Sequence, residues 1–101
     1  MKVLLNVEYG GFRIPDAIAT IVAIRKGVDH IDPWGKNVER HDPILIATIE
    51  EAMNKEWDEE TAAKLEELQI VEIVGDKYWI CEYDGVETIY TPETIPWTIV
   101  K

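Results

Sequence analysis

The chain has 101 residues, a formal net charge of −10 and a hydrophobic content of 47%. This length suits a single domain spanning residues 1–101, and the apolar content is enough for a core. The single cysteine, Cys81, excludes an intramolecular disulfide, and no apolar run approaches the roughly 20 residues of a membrane-spanning helix.

The first predicted element is a strand over residues 3–9. Val3, Leu5, Val7 and Tyr9 alternate with residues that are more polar on average, which is the period of a strand with one apolar face. A tight turn at Gly10-Gly11 ends it, and the aromatic rings of Tyr9 and Phe12 are expected in the core.

A first helix is predicted over residues 16–26. Asp16 is placed as its N-cap, and Gly27 follows Arg25-Lys26 as a C-terminal stop signal. The β-branched residues within this helix lower its intrinsic propensity, so packing on the sheet must stabilise it.

Residues 28–41 show no sustained period and contain the turn signal Asp32-Pro33-Trp34-Gly35, so they are predicted to form a loop. Asp42-Pro43 then supplies an N-cap and a proline at the first helical position of a second helix, at about 43–55. Asp58 is placed to cap a third helix that extends to about residue 68.

The last part of the chain is predicted to be a β-meander. Residues 69–74, 77–83 and 86–91 have strand character and are separated by the two-residue turn signals Gly75-Asp76 and Asp84-Gly85. The tail, residues 92–101, is expected to be irregular or extended and to lie over the body. The fold class is therefore α+β: an antiparallel sheet of the N-terminal strand and the three-strand meander, packed on one face by about three helices.

In a meander with two-residue turns, Glu82 lies opposite Glu87, and Gln69 lies on the other side of Glu82. Two facing carboxylates repel, and a divalent cation, a shared proton or a basic side chain would remove the repulsion. The interpretation we favour is structural: a solvated edge, or an ion pair with an arginine such as Arg13 or Arg25. Glu82 and Glu87 are nevertheless the one candidate metal pair.

A second candidate site is an anion site at the glycine turn. Glycines between a strand and a helix can bring N–H groups to a ligand, and Arg13, Arg25 and Arg40 could supply positive charge. The candidate ligand residues are Tyr9, Gly10, Gly11, Arg13, Arg25 and Arg40. A carboxylate at the helix start, Asp16, disfavours a phosphate there.

The loop 28–41 is a candidate protein contact, because long loops in compact domains are often functional. Trp34 at the turn tip is expected to be more exposed than Trp79, and Lys36, Arg40 and the two histidines, His30 and His41, would form a polar, mildly basic rim around it. The alternative is that Trp34 folds back over the core.

The remaining chemistry-bearing residues form no recognisable catalytic or metal motif. His30, His41 and Cys81 show no zinc, P-loop or nucleophile pattern, and Cys81 is expected to be a small buried hydrophobe. No cofactor is expected, and we lean against an enzyme.

The negative charge is concentrated in residues 50–101, which carry fourteen Asp or Glu against four Lys or Arg. Direct nucleic-acid binding is therefore not expected. These acids could simply keep the protein soluble, or they could face a basic partner.

Several strings together resemble an uncharacterised family of small acidic proteins of tailed phages and prophages. The resemblance rests on Asn6 with Tyr9-Gly10-Gly11-Phe12, Arg25-Lys26-Gly27, Arg40 with Asp42-Pro43, Val71-Glu72-Ile73, and Glu82-Tyr83-Asp84-Gly85 with Glu87. The chain departs from the family pattern at Pro15-Asp16 and at residues 51–54. The resemblance implies a phage origin and expression in a bacterial cytoplasm, and the lack of a signal-peptide pattern in residues 1–8 agrees with that location.

Three functional hypotheses follow. The first is a phage accessory protein that binds a host or phage protein. The second is a small-ligand or nucleotide binder that uses the Gly10-Gly11 loop and its neighbouring arginines. The third, with the least support, is a metal-dependent hydrolase that uses Glu82, Glu87 and a loop histidine. The sequence leaves the oligomeric state open.

Overall fold

The structure, a computed structural model, describes residues 1–92, and the predicted tail lies almost wholly outside them. The described residues form three helices and four strands, which confirms the predicted α+β class. In chain order these are β1 (Lys2–Asn6), α1 (Asp16–Lys26), α2 (Pro43–Ala52), α3 (Glu59–Glu66), β2 (Leu68–Glu72), β3 (Trp79–Tyr83) and β4 (Val86–Tyr90).

The strands form two antiparallel pairs, β1 with β2 and β3 with β4. One face of the β1–β2 pair joins the main core with the helices through Leu4, Leu68 and Ile70. On the opposite face, Val3, Leu5 and Ile73 form a second cluster, against which Ile80 and Ile89 of the β3–β4 hairpin pack. The β1–β2 pair therefore lies between the helices and the hairpin, and residues 3–6 of β1 are all buried.

The predicted three-strand meander is wrong in its pairing. β2 pairs with β1, so Gln69 lies opposite Leu5 and not beside Glu82. Gly75-Asp76 is not a two-residue hairpin turn, because no strand covers residues 73–78, and the Ile73 N–H donates to the Met1 carbonyl. Ile73 is buried against β1, and this apolar contact outweighs the local turn signal.

The second predicted turn is confirmed. Asp84 and Gly85 both have positive φ, 53° and 87°, as a type I′ turn requires. Glu82 lies opposite Glu87, as the register predicted.

The helix ends agree with the sequence at some positions and not at others. Gly27 ends α1 with a φ of 71°, as predicted, but Pro15 occupies the N-cap position and the Asp16 side chain pairs with Arg13 instead. α2 ends at Ala52, three residues before the predicted end at residue 55. The Ala52 carbonyl accepts a hydrogen bond from the Trp57 indole N–H at 2.8 Å. α3 also ends early, because Leu68 already belongs to β2.

Other expectations fail at the surface. β1 ends at Asn6, three residues before the predicted end, so Tyr9 lies outside the sheet and is 73% exposed. Cys81 is exposed, not buried. Among residues 1–92, no helix is long and apolar enough to cross a membrane.

The N-cap of α2 is the strongest of the local signals. The Asp42 carboxylate accepts hydrogen bonds from the backbone N–H groups of Ile44 (2.8 Å) and Leu45 (3.1 Å), and it also pairs with the Lys26 ammonium of α1. Burial acts to raise the pKa of Asp42, but the Lys26 ammonium and the two N–H donors outweigh it and hold the pKa below its ordinary value.

We expect Asp42→Ala to lower the free energy of unfolding at pH 7 by about 1–2 kcal/mol, because it removes the cap and the ion pair. Asp42→Asn should cost less, since its amide oxygen can still cap the helix. A carboxyl whose pKa is lowered in the folded state stabilises the protein fully at pH values above its ordinary pKa, and that stabilisation is lost as the pH falls through the folded-state pKa. Urea denaturation at pH 7 and pH 3 should therefore show the Asn variant approaching wild type in acid. An Ala variant as stable as wild type at pH 7 would contradict this.

Candidate functional site

Arg40, in the long loop, and Glu87, on β4, form an ion pair that is largely shielded from water. The two guanidinium nitrogens donate to the two carboxylate oxygens at 2.6 and 2.7 Å, a bidentate geometry. The side chains of Arg40 and Glu87 are only 20% and 6% exposed. Taking both charges out of water is costly, so the pair must receive further hydrogen bonds to be stable.

Those further bonds come from the outer edge of β1. The Asn6 N–H donates to Glu87 Oε1 at 2.8 Å, and the Leu4 carbonyl accepts from Arg40 Nη1 at 3.2 Å. The Leu4 N–H also donates to the Arg40 carbonyl. Arg40 and Glu87 thus provide hydrogen-bond partners for the backbone groups of Leu4 and Asn6 that face away from β2. In a larger sheet, a third strand would provide these partners.

The Asn6 side chain joins the glycine turn to the tip of the hairpin. Its Nδ2 donates to the carbonyls of Glu8 (2.6 Å) and Gly85 (2.5 Å). The backbone is so close here that a Cβ on Gly85 would lie 2.4 Å from the Gly11 nitrogen and 2.7 Å from the Gly10 nitrogen. Asn6 Oδ1 is buried and accepts no hydrogen bond within residues 1–92.

Phe12 connects these contacts to the loop. The Arg40 guanidinium carbon lies 3.5 Å from the centre of the Phe12 ring, a cation–π contact, and the ring is buried as predicted. Gly35 lies against the same ring, because a Cβ there would be 2.9 Å from Phe12 Cε2. We call Asn6, Phe12, Arg40, Gly85 and Glu87 the central junction.

The loop that carries Trp34 is held by many hydrogen bonds. The Asp32 carboxylate accepts from the N–H groups of Trp34 and Lys36, both at 3.3 Å, and the Asp32 carbonyl accepts from Gly35. Asn37 bridges its two sides, since its Oδ1 accepts from Asp32 N and its Nδ2 donates to the His30 carbonyl.

Trp34 is exposed at the tip of this ordered loop. Its exposed fraction is 53%, against 40% for Trp79, in the order that the sequence predicted. The Arg13 guanidinium carbon lies 5.0 Å from the centre of its ring. Ile31 and Val38 are buried at the two ends of the turn and fix the loop to the core.

The structure does not bring the six candidate ligand residues together as an anion site. Arg13 pairs with Asp16, Arg25 with Glu51 and Arg40 with Glu87. The nitrogens of Gly10 and Gly11 lie against Gly85, and Tyr9 projects into solvent. Each arginine is therefore already neutralised by a carboxylate.

The candidate partner residues are also separated. Lys36 is exposed in the loop beside Trp34, whereas His41 is half-buried and its Nδ1 lies 2.6 Å from the Tyr78 hydroxyl. Burial raises the pKa of Tyr78, and the charge of Glu39 adds to that rise. Because the Arg40 guanidinium is paired with Glu87 in the junction and His41 faces Tyr78, neither forms the mildly basic rim expected around Trp34.

The Glu82 and Glu87 pair faces across the hairpin as predicted, but its carboxylates have separate partners. Glu87 binds Arg40, and Glu82 Oε2 accepts the Gly85 N–H at 2.5 Å. The favoured interpretation, neutralisation by an arginine, fits Glu87, but the arginine is Arg40 and not Arg13 or Arg25. Among residues 1–92, no group of three His, Cys, Asp or Glu side chains could hold a metal ion.

One feature of the sequence points to the junction. Asn6, Arg40 and Glu87 each belong to a string on which the family resemblance rests, yet they lie far apart in the chain. Comparison with known proteins does not add to the family resemblance, since no family model, curated protein or solved structure matches this chain.

Proposed function

We propose that this protein is a phage-associated accessory protein that acts in the bacterial cytoplasm by binding a host or phage protein through the loop that carries Trp34. The observation that carries the proposal is a half-exposed tryptophan on a loop fixed by hydrogen bonds and buried anchors. A preordered loop loses little conformational entropy on binding, and tryptophan is a frequent interface anchor.

The two alternative hypotheses receive less support from the geometry. A nucleotide or anion binder would need accessible positive charge, whereas Arg13, Arg25 and Arg40 each pair with a carboxylate. A hydrolase built on Glu82 and Glu87 would need carboxylates that can hold a cation, whereas Glu87 is committed to Arg40.

Trp34→Ala should weaken partner binding by about 2 kcal/mol or more, roughly thirtyfold in Kd. The melting temperature should fall by no more than about 4 °C, since the loop is held by Asp32, Asn37 and backbone bonds and not by the indole ring. The measurement is capture of partners from infected host lysate on immobilised protein, followed by Kd determination for each captured protein.

Trp79→Ala is the matched control, because Trp79 is also partly exposed but lies on β3, where its ring contacts Tyr90. Equal capture by wild type and Trp34→Ala would reject the proposed contact. A large loss of thermal stability in Trp34→Ala would show that the ring belongs to the core.

A further inference from the structure

A shallow, open groove of about 490 Å³ lies beside Trp34. Trp34 and the mostly buried Phe12 line it together with Glu82, Asp84 and Gly85, at the turn of the β3–β4 hairpin. The sequence did not predict this neighbourhood, because Trp34 and the hairpin turn are separated by about fifty residues of chain. The groove therefore places two carboxylates next to the exposed tryptophan.

These two carboxylates lack a counter-ion within residues 1–92. Glu82 and Asp84 are exposed, and neither belongs to an ion pair of the described chain. Glu82 uses one oxygen to accept the Gly85 N–H, and its other oxygen is free to accept from a ligand. Asp84 occupies the first central position of the hairpin turn, with a φ of 53°.

The aromatic part of the groove already binds cations of this chain. Arg40 lies over the Phe12 ring and Arg13 over the Trp34 ring, each at cation–π distance. Trp34 still exposes half of its surface.

We infer that this groove receives an arginine or lysine side chain of the partner protein, a step that rests on the proposed function and gives the partner a basic contact. A guanidinium is the better fit, because it can stack on the part of the Trp34 indole that Arg13 leaves exposed while its N–H groups donate to Glu82 and Asp84. The charge of the chain is complementary to such a partner, with fourteen acids against four bases in residues 50–101.

The test uses small probes of defined charge. N-acetylarginine amide and its neutral analogue N-acetylcitrulline amide are titrated into the protein, and the Trp34 indole N–H and Gly85 backbone N–H are followed by NMR. We expect saturable shifts of both signals with the arginine probe and none with the citrulline probe. Shifts that are equal for both probes, or absent with arginine, would overturn the inference.

The double variant Glu82→Gln with Asp84→Asn removes both charges with little change of shape. Gln can still accept the Gly85 N–H, and Asn tolerates the positive φ at position 84. We expect the arginine probe to bind at least about fivefold more weakly to this variant, and equally well to Glu59→Gln with Glu60→Gln, which removes two exposed charges on α3.

The failure of this inference and that of the proposed function give different results. Capture of a partner could depend on Trp34 and yet be unchanged in the Glu82 and Asp84 double variant. That result would support the proposed function and overturn the basic contact. Capture that Trp34→Ala does not change would overturn the proposed function itself.

Discussion

Glu87→Gln is expected to lower the free energy of unfolding by about 3 kcal/mol or more, because it leaves the buried Arg40 guanidinium without its counter-ion. The Glu87 carboxylate accepts hydrogen bonds from both Arg40 and the Asn6 N–H. A Gln side chain has one amide oxygen and one NH₂ group, so its NH₂ group would face one of these donors. Urea denaturation at pH 7 measures the loss.

The chain provides a matched control in the Arg25–Glu51 pair. That pair is also bidentate, at 2.7 and 3.0 Å, but its side chains are 41% and 48% exposed. Water screens an exposed pair, so Glu51→Gln should lower the free energy of unfolding far less than Glu87→Gln does. Similar losses for Glu87→Gln and Glu51→Gln would contradict the structural role assigned to the buried pair.

A double-mutant cycle separates the ion pair from the other bonds of Glu87. Arg40→Met removes the buried cation, so adding Glu87→Gln to it should cost much less than Glu87→Gln does in the wild-type chain. Additive losses would show that Arg40 and Glu87 do not act as a pair.

Gly85→Ala is expected to have the second large effect, a loss of at least about 3 kcal/mol, from left-handed backbone strain and a backbone clash together. The added Cβ would lie 2.4 Å from the Gly11 nitrogen, and backbone atoms there cannot move without opening the contact between the glycine turn and the hairpin. Thermal and urea unfolding both report this loss.

Gly75→Ala is the control for backbone strain alone. Gly75 has almost the same φ, 86° against 87°, but a Cβ there would meet nothing within 4 Å. This variant should cost only the conformational strain, about 1–2 kcal/mol. If Gly85→Ala were no more destabilising than Gly75→Ala, the close approach at the hairpin tip would be wrong.

The features that could be predicted from the sequence are those fixed by neighbours in the chain. Gly27 ends α1 because it alone avoids a Cβ penalty in the left-handed region, and Asp42 starts α2 because its side chain reaches the next N–H groups. The Asp84-Gly85 turn fixes the register, and with it the opposition of Glu82 and Glu87.

The features that could not be predicted depend on contacts between distant residues. Nothing local to β2 shows that it pairs with β1, more than sixty residues earlier, and not with β3. The expected repulsion between Glu82 and Glu87 correctly indicated that a positive charge is needed nearby. The sequence could not show whether Arg13, Arg25 or Arg40 supplies it, because all three are arginines. Only the fold selects Arg40, because it lies beside both the edge of β1 and the Phe12 ring.

The central junction relates the family resemblance to the proposed binding surface. Asn6, Phe12, Arg40, Gly85 and Glu87 all come from strings that carry the resemblance, and the structure brings them into contact. Phe12 and Gly85 also line the groove beside Trp34. We therefore interpret these five residues as a scaffold that holds the loop and the hairpin turn in place, while Trp34 supplies the proposed contact.

The most direct test of the binding surface is amide hydrogen exchange of the wild-type protein with and without a partner captured from infected lysate. The account predicts added protection in residues 28–41, 9–12 and 82–85, the segments around Trp34 and the groove, and none in α3. Protection confined to α3 or to the outer edge of β2, with the Trp34 loop unchanged, would contradict it.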